Sequence, residues 1–306
     1  MRQRRGTPAS RRINAAPFRF AKAIPCPSHV WMTRVAMHAP SAHPATSADP
    51  IDAAVLRQAG YATVIHRAEI DSTMDEARRV AAEPSPSLPA VVVADRQSLG
   101  RGRQGARWWH APDSLAASLV VGRAGTGGPP PTWSLACGIA LAEALDALEP
   151  ALGPRVRWPN DIEVGGRKLA GILVEAVADG RVIFGIGVNT AGRALDAPPA
   201  LRGRLVTVPD VRGHPLGRTS VLAAFLPRLC ALLDLLAADP AALVERYQPW
   251  CSLTGHRVTL HLGGVGHEGL CSGIASDGSL VLDTPAGLRR FASGSLTAAD
   301  DVWRGT

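Results

Sequence analysis

Arg155-Val156-Arg157-Trp158-Pro159-Asn160-Asp161-Ile162-Glu163-Val164-Gly165-Gly166-Arg167-Lys168-Leu169-Ala170-Gly171-Ile172-Leu173-Val174-Glu175, followed by Val182-Ile183-Phe184-Gly185-Ile186-Gly187-Val188-Asn189, is the stretch of this 306-residue chain that decides its fold. Arg155 to Trp158, Ile162 to Val164, Leu169 to Ala178 and Val182 to Val188 read as four successive strands, and Gly165-Gly166 reads as a hairpin turn between two of them. Working outward, Tyr61 to His66, Val91 to Ala94 and Leu115 to Val121 add three more. Helices are expected over 50–59, 73–82 and 132–148, with an apolar pair over 219–237 and 240–250. Thr73-x-x-Glu76 fits a capping box at the start of the helix at 73. Strands outnumber helices, so the expected class is α+β, with helices flanking a mixed, largely antiparallel sheet.

After Cys251 the texture changes. Arg257 to Leu262, Glu268 to Ala275, Leu280 to Asp283 and Leu288 to Phe291 are short alternating segments. Gly263-Gly264, Asp277-Gly278 and Ala286-Gly287 supply the turns, which predicts a small all-β barrel. A unit of this size has little core of its own, so it is expected to dock on the larger one. The expected organisation is a basic tail over 1–48, a larger domain over 49–252 and a barrel over 253–306.

The formal charge is +7, but its location matters more than its size. Residues 1–48 hold Arg2, Arg4, Arg5, Arg11, Arg12, Arg19, Lys22 and Arg34 and no acidic residue, which leaves the remainder near neutral. A transit peptide or nucleic-acid arm would explain such a tail. Its prolines and weak periodicity favour a disordered extension, or a start at Met32 or Met37. Deleting residues 1–36 without loss of activity would bear this out. The chain contains no uninterrupted run of about 18 apolar residues, so no membrane span is expected. Cys26, Cys137, Cys230, Cys251 and Cys271 are scattered, without the spacing of a zinc site or disulfide framework, which suits a reducing cytoplasm.

Four segments carry candidate chemistry. Gly100-Arg101-Gly102-Arg103-Gln104-Gly105-Ala106-Arg107-Trp108 joins glycines that allow close backbone approach to cations that suit a phosphate. It is not a P-loop, because no Gly-Lys-Ser/Thr follows. A solvated RNA-touching loop would have the same composition. Asn160-Asp161 follows Pro159 at a strand break, and Lys168 opens an apolar strand. Asp161 could hold Mg²⁺ or a ribose, or cap a turn, and Lys168 could meet a carboxylate or phosphate, or end a strand in solvent. Asp71-Ser72-Thr73 offers hydroxyls at a helix start, for a ligand or a cap. Gly185-x-Gly187-x-Asn189 ends a strand on an amide that could meet a base or ribose, or begin an ordinary turn.

In this order the segments resemble the biotin–protein ligase family, over about residues 60–190. The family marks are a Ser-Thr-Asn, a Gly-Arg-Gly-Arg-x-Gly loop, a Lys-Trp-Pro-Asn-Asp segment, a Lys-x-x-Gly-Ile-Leu-x-Glu strand and a Gly-x-Gly-x-Asn strand. The resemblance implies a catalytic core related to lipoate ligases, with an SH3-like C-terminal domain. It implies that biotin and ATP, with Mg²⁺, form biotinyl-5′-AMP, and that biotin then passes to a lysine of a biotin carboxyl carrier domain. It places Ser72, Thr73 and Gln97 at the biotin rings, and Arg101, Gly102 and Arg103 in a loop closing over biotin and the adenylate phosphate. Gly100, Trp108, Asn160, Asp161 and Asn189 fall to ATP, with Asp161 near the metal. Lys168, with Arg103, falls to the reacting carboxylate and α-phosphate. Met74 stands for the usual Asn, Arg157 for Lys, Ala106 for Arg beside Arg107, and Gly294-Ser295 for Gly-Glu.

A lipoate ligase is the nearest rival, and the Gly-Arg-Gly-Arg loop and Trp-Pro-Asn-Asp segment favour biotin over it. A DNA-binding repressor would need about 60 residues of helical head, and residues 1–48 are too short and proline-broken for one, so no DNA partner is expected. An RNA binder is disfavoured by the near-neutral core. A homodimer is left open.

Overall fold

The computed structural model describes residues 47–122, 130–177 and 180–297. The tail reading falls almost wholly outside these residues. Ser47 is an exception and belongs to the fold, since its hydroxyl donates to Asp113 Oδ1 at 2.7 Å.

Seven strands form the main sheet: β1 (Thr63–Ile70), β2 (Ala90–Gln97), β3 (Leu115–Val121), β4 (Arg155–Arg157), β5 (Asp161–Val164), β6 (Arg167–Ala176) and β7 (Val182–Val188). Their order is β1-β2-β3-β7-β6-β5-β4. Only β1 and β2 run parallel, and every other pairing is antiparallel. The sheet is therefore mixed and largely antiparallel, as expected. Gly165 and Gly166 turn between β5 and β6 at φ of 52° and 72°, a conformation that side chains resist.

The first five residues of β2 (Ala90 to Ala94), all of β3 and nearly all of β7 are buried and almost wholly apolar, with Ser118 on β3 the polar exception, because both faces of the sheet are covered there. Alternation sends Val91 and Val93 to one face, which meets α3 (Pro130–Leu148) and α6 (Arg218–Ala238). Val92, Val120 and Ile183 go to the other, under α2 (Thr73–Ala82). α1 (Ala53–Gln58) and α7 (Ala242–Tyr247) match the expected helices at shorter length. α4 (Pro199–Arg202) and α5 (Val208–Arg212) have no counterpart in the sequence reading.

One expectation is corrected. Thr73 is not a helix cap. Ser72 takes the N-cap position through its backbone, and its side chain makes no capping bond. The capping box lies instead at Thr207 and Asp210, at the start of α5. Among the described residues α6, although interrupted by Pro227, Arg228 and Asp234, is long and apolar enough to meet the length and mean composition of a membrane span. It lies against α3 in the core and buries Val221, Leu222, Phe225, Leu226, Leu229 and Leu232.

The C-terminal sheet contains β8 (Arg257–Leu262), β9 (Val265–Ile274), β10 (Leu280–Thr284), β11 (Gly287–Phe291) and β12 (Ser295–Thr297), in the order β11-β10-β9-β8-β12. All its pairings are antiparallel. It docks as expected. The buried indole of Trp158 donates from Nε1 to the Gly278 carbonyl at 3.0 Å, and Arg157 Nη2 donates to the Leu296 carbonyl at 3.2 Å.

Candidate active site

One cavity of about 990 Å³ opens over β3, β6 and β7, beneath the 100–108 loop and beside β12. Its first end is a hydroxyl–amide network. Ser118 is fully buried on β3 and donates to Thr73 Oγ1 at 2.8 Å. The Thr73 hydroxyl and backbone N–H both donate to Gln97 Oε1, at 3.1 and 2.8 Å. Residues from α2, β2 and β3 are thus locked together before any ligand arrives. Met74 lies over Gly185, where an added Cβ would come within 2.6 Å of its sulfur, so the glycine makes room for the side chain that replaces the family's Asn.

The second end is charged. Lys168 Nζ pairs with Asp161 Oδ1 at 2.7 Å and lies 5.4 Å from the centre of the Trp108 ring. Arg103 Nη1 donates to Asn160 Oδ1 at 3.0 Å, and Asn160 Nδ2 donates to the Ile172 carbonyl at 2.9 Å. The strand break at Pro159 and the turn at Gly165-Gly166 set Asp161 and Lys168 on adjacent strands. Arg157, where the resemblance expects Lys, is paired here. Its Nη1 donates to the buried Glu163 at 2.9 Å, and the Ser252 hydroxyl donates to the other Glu163 oxygen at 3.2 Å. Burial pushes the Glu163 carboxyl above the usual carboxylate range, with Arg157 pulling the other way.

Trp108 lies in a slot cut by two glycines. A Cβ on Gly187 would come within 2.5 Å of the indole and one on Gly171 within 2.9 Å, so any larger residue on β6 or β7 would evict the ring. Three buried polar atoms lining this cavity have no hydrogen-bond partner among the described residues: Ser72 Oγ, Trp108 Nε1 and Asn189 Oδ1. Buried polar groups are normally satisfied, so their gathering on one cavity points to a polar ligand. Asn189 Nδ2 is already committed to the Val206 carbonyl at 3.0 Å.

The loop itself is braced by a short bridge between Arg101 and Arg107. Arg101 Nη2 pairs with Asp75 Oδ2 at 2.8 Å, and Arg107 Nη2 donates to the Ser98 carbonyl at 3.2 Å. Gly100 is the one expected site residue that does not line this cavity. It lines a smaller groove behind the loop, where an added Cβ would press on the Trp108 carbonyl at 3.1 Å and on Gln97 Nε2 at 3.4 Å. All other expected residues, Ser72, Thr73, Gln97, Arg101, Gly102, Arg103, Trp108, Asn160, Asp161, Lys168 and Asn189, line the one cavity.

Sequence reasoning missed Ser118, hidden in the apolar run Leu115–Val121, and Met74's pairing with Gly185. It also missed the 201–205 segment. The Lys168 N–H donates to the Arg204 carbonyl at 3.0 Å and the Val206 N–H to the Lys168 carbonyl at 3.0 Å, which fixes the lysine's backbone. Among the described residues no cluster of three or more His, Cys, Asp or Glu could cage a metal. Asp161 is the carboxylate at the charged end, and one carboxylate is enough for a Mg²⁺ that arrives held by phosphates.

The comparisons agree with this geometry. The model of the biotin/lipoate A/B protein ligase family matches residues 68–190. A biotin–[acetyl-CoA-carboxylase] ligase of Paracoccus denitrificans is 34% identical over 230 residues, 72% of this chain and 94% of the relative. The bifunctional ligase/repressor BirA of Escherichia coli strain K12 is 30% identical over 225 residues, 68% of this chain and 65% of the relative. Among solved structures, the biotin protein ligase from Aquifex aeolicus in complex with biotin and ATP matches with a TM-score of 0.68 and 26% identity, over 78% of this chain and 98% of that one. The chain belongs to the biotin/lipoate A/B protein ligase family, and within it to the biotin protein ligases.

Proposed function

We propose that this protein joins biotin to Mg²⁺–ATP as biotinyl-5′-AMP, with release of pyrophosphate, and then passes biotin to a lysine of a biotin carboxyl carrier domain. The observation that carries the reading is the union, in one cavity, of the buried Ser118–Thr73–Gln97 network with the cationic end built by Arg103 and Lys168. A bicyclic urea with a carboxylate tail needs both: fixed donors and acceptors for the rings, and cations where carboxylate and phosphate meet.

A carboxylate acylates poorly, so it must first be activated. Its oxygen attacks the α-phosphorus, the bond to the bridging oxygen breaks, and pyrophosphate leaves. This step crowds negative charge, which Lys168, Arg103 and Arg101 would stabilise from positions built before the reaction. Mg²⁺ arriving with ATP would add charge neutralisation, and Asp161 is the carboxylate that would hold it. Ser72, Thr73 and Gln97 would hold the biotin rings, Trp108 and Asn189 the nucleoside, and Asn160 would orient Arg103. The carrier lysine then attacks the acyl carbon and AMP leaves. The substrate carboxylate is itself the nucleophile, so no enzyme nucleophile is required. The 100–108 loop would screen the mixed anhydride from water.

Incubation with ATP, Mg²⁺, labelled biotin and a carrier domain, with labelled lipoate in parallel, tests the reading. ATP-dependent biotin label on the carrier is the expected result. Transfer of lipoate instead, or of neither, would overturn it.

A further inference from the structure

Arg101 and Arg103 of the loop have different partners, and one partner is not part of the proposed reaction. Arg103 is bound inside the cavity, on Asn160. Arg101, about half exposed, is bound on α2, where its Nη2 meets Asp75 Oδ2 at 2.8 Å. The other Asp75 oxygen is taken by Arg78, and Arg78 forks onto Glu175 at the end of β6, with Nε to Oε2 at 2.8 Å and Nη2 to Oε1 at 2.7 Å. The loop is therefore tied through α2 to the sheet by a chain of ion pairs, with Asp75 as the link that touches the loop. The loop's regular structure, one short turn at Arg103–Gly105 and the Arg101–Arg107 bridge, is internal to it, so its position against α2 rests on such contacts.

We propose that Asp75 is a positioning residue that holds Arg101 as a stand-in anion, and that the anionic ligand of the cavity must displace it to recruit the arginine. The pair is on the surface, where ion pairs are weak and screened, so a phosphate or carboxylate in the cavity can outcompete it. An arginine held elsewhere lowers apparent ligand affinity by the fraction of time it is held. Asp75 thus sets the affinity for biotin without touching biotin. This rests on the ligase reading for its kinetic consequence, but not for the physical state of the loop.

The test uses the full-length chain with Asp75→Asn, which leaves Arg78 its fork on Glu175, and Asp75→Glu as the charge-preserving control. Biotin-dependent ATP–pyrophosphate exchange should show KM for biotin lowered about two- to five-fold in Asp75→Asn, the range set by one exposed ion pair, with kcat unchanged. Asp75→Glu should match the wild type, and Asp75→Asn should have no effect in an Arg101→Ala background. Independently of activity, trypsin without ligand should cut after Arg101, Arg103 or Arg107 several-fold faster in Asp75→Asn, with the sites mapped by mass spectrometry. An unchanged or raised KM, an effect that persists without Arg101, or an unchanged cutting rate would each overturn the proposal. A wild-type protein without biotin-dependent exchange would instead overturn the ligase reading, and the proteolysis result would still decide the role of Asp75.

Discussion

The cavity has two walls built on different principles. The sheet wall of β3, β6 and β7 is largely buried and apolar, and its Ser118 is bonded into a fixed network with Thr73 of α2 and Gln97 of β2. The loop wall is cationic, and its arginines are bound to groups that an anion can replace, namely Asn160, Asp75 and the Ser98 carbonyl. Lys168 belongs to the sheet by backbone and to the charged end by its head group. The difference teaches a division of labour. Shape and ring recognition are fixed in advance by packing, whereas charge compensation is held on weaker partners until a substrate arrives.

Substitutions can sharpen or break this division. The largest effect is expected for Lys168→Ala, which should cut biotin-dependent pyrophosphate exchange by roughly 10²–10³-fold, the scale of losing a built electrostatic donor. The melting temperature should stay near the wild-type value, because the side chain is about a third exposed. Gly187→Ala attacks the sheet wall. Its Cβ would lie 2.5 Å from the Trp108 indole, so it should destabilise the fold by about 1–3 kcal/mol in denaturant titration and raise the KM for ATP as the ring is displaced. Arg103→Ala attacks the loop wall. It should release biotinyl-AMP about tenfold faster, the equivalent of one charge-assisted hydrogen bond, with little change in stability. An unchanged release rate would count against the loop as a screen. Ser118→Ala should raise the KM for biotin a few-fold and lower stability by about 1 kcal/mol, the net worth of one buried hydrogen bond.

The smallest effect concerns pH. His110 is held below the ordinary histidine range, chiefly by burial, while its Nε2–H donates to the Ser114 carbonyl at 2.9 Å and opposes the shift. The unfolded chain accepts a proton on this ring that the folded chain resists. Stability is therefore full above about pH 6.5 and declines as pH falls below it, by at most about 1.4 kcal/mol per pH unit. Chemical denaturation between pH 7.5 and 5.5 should show the decline, and His110→Asn should flatten it.

Much of this was legible in the sequence because it is local. Leu115–Val121 and Val182–Val188 run as expected, since predominantly apolar runs flanked by glycine and polar residues leave little choice. The order of the Gly/Arg loop, Asn160-Asp161 and Lys168 placed the charged end. What escaped depends on register between distant strands. Ser118 is one polar residue in an apolar run, and only its pairing opposite Gly185, together with α2 crossing above, reveals its role. Gly171 and Gly187 are paired across β6 and β7, and only that pairing makes a slot for Trp108. Thr-x-x-Glu suggests a cap at Thr73 because the motif looks the same whether the hydroxyl turns to the helix or, as here, to Gln97. α4 and α5 are too short for periodicity to register.

The central claim is that one cavity activates biotin by adenylation through Lys168. Pyrophosphate exchange into ATP, measured with biotin, with lipoate and with neither, on the wild type and Lys168→Ala, tests it most directly. The account predicts exchange with biotin alone, and its loss in Lys168→Ala without unfolding. Exchange driven by lipoate, or near-normal exchange in Lys168→Ala, would contradict it.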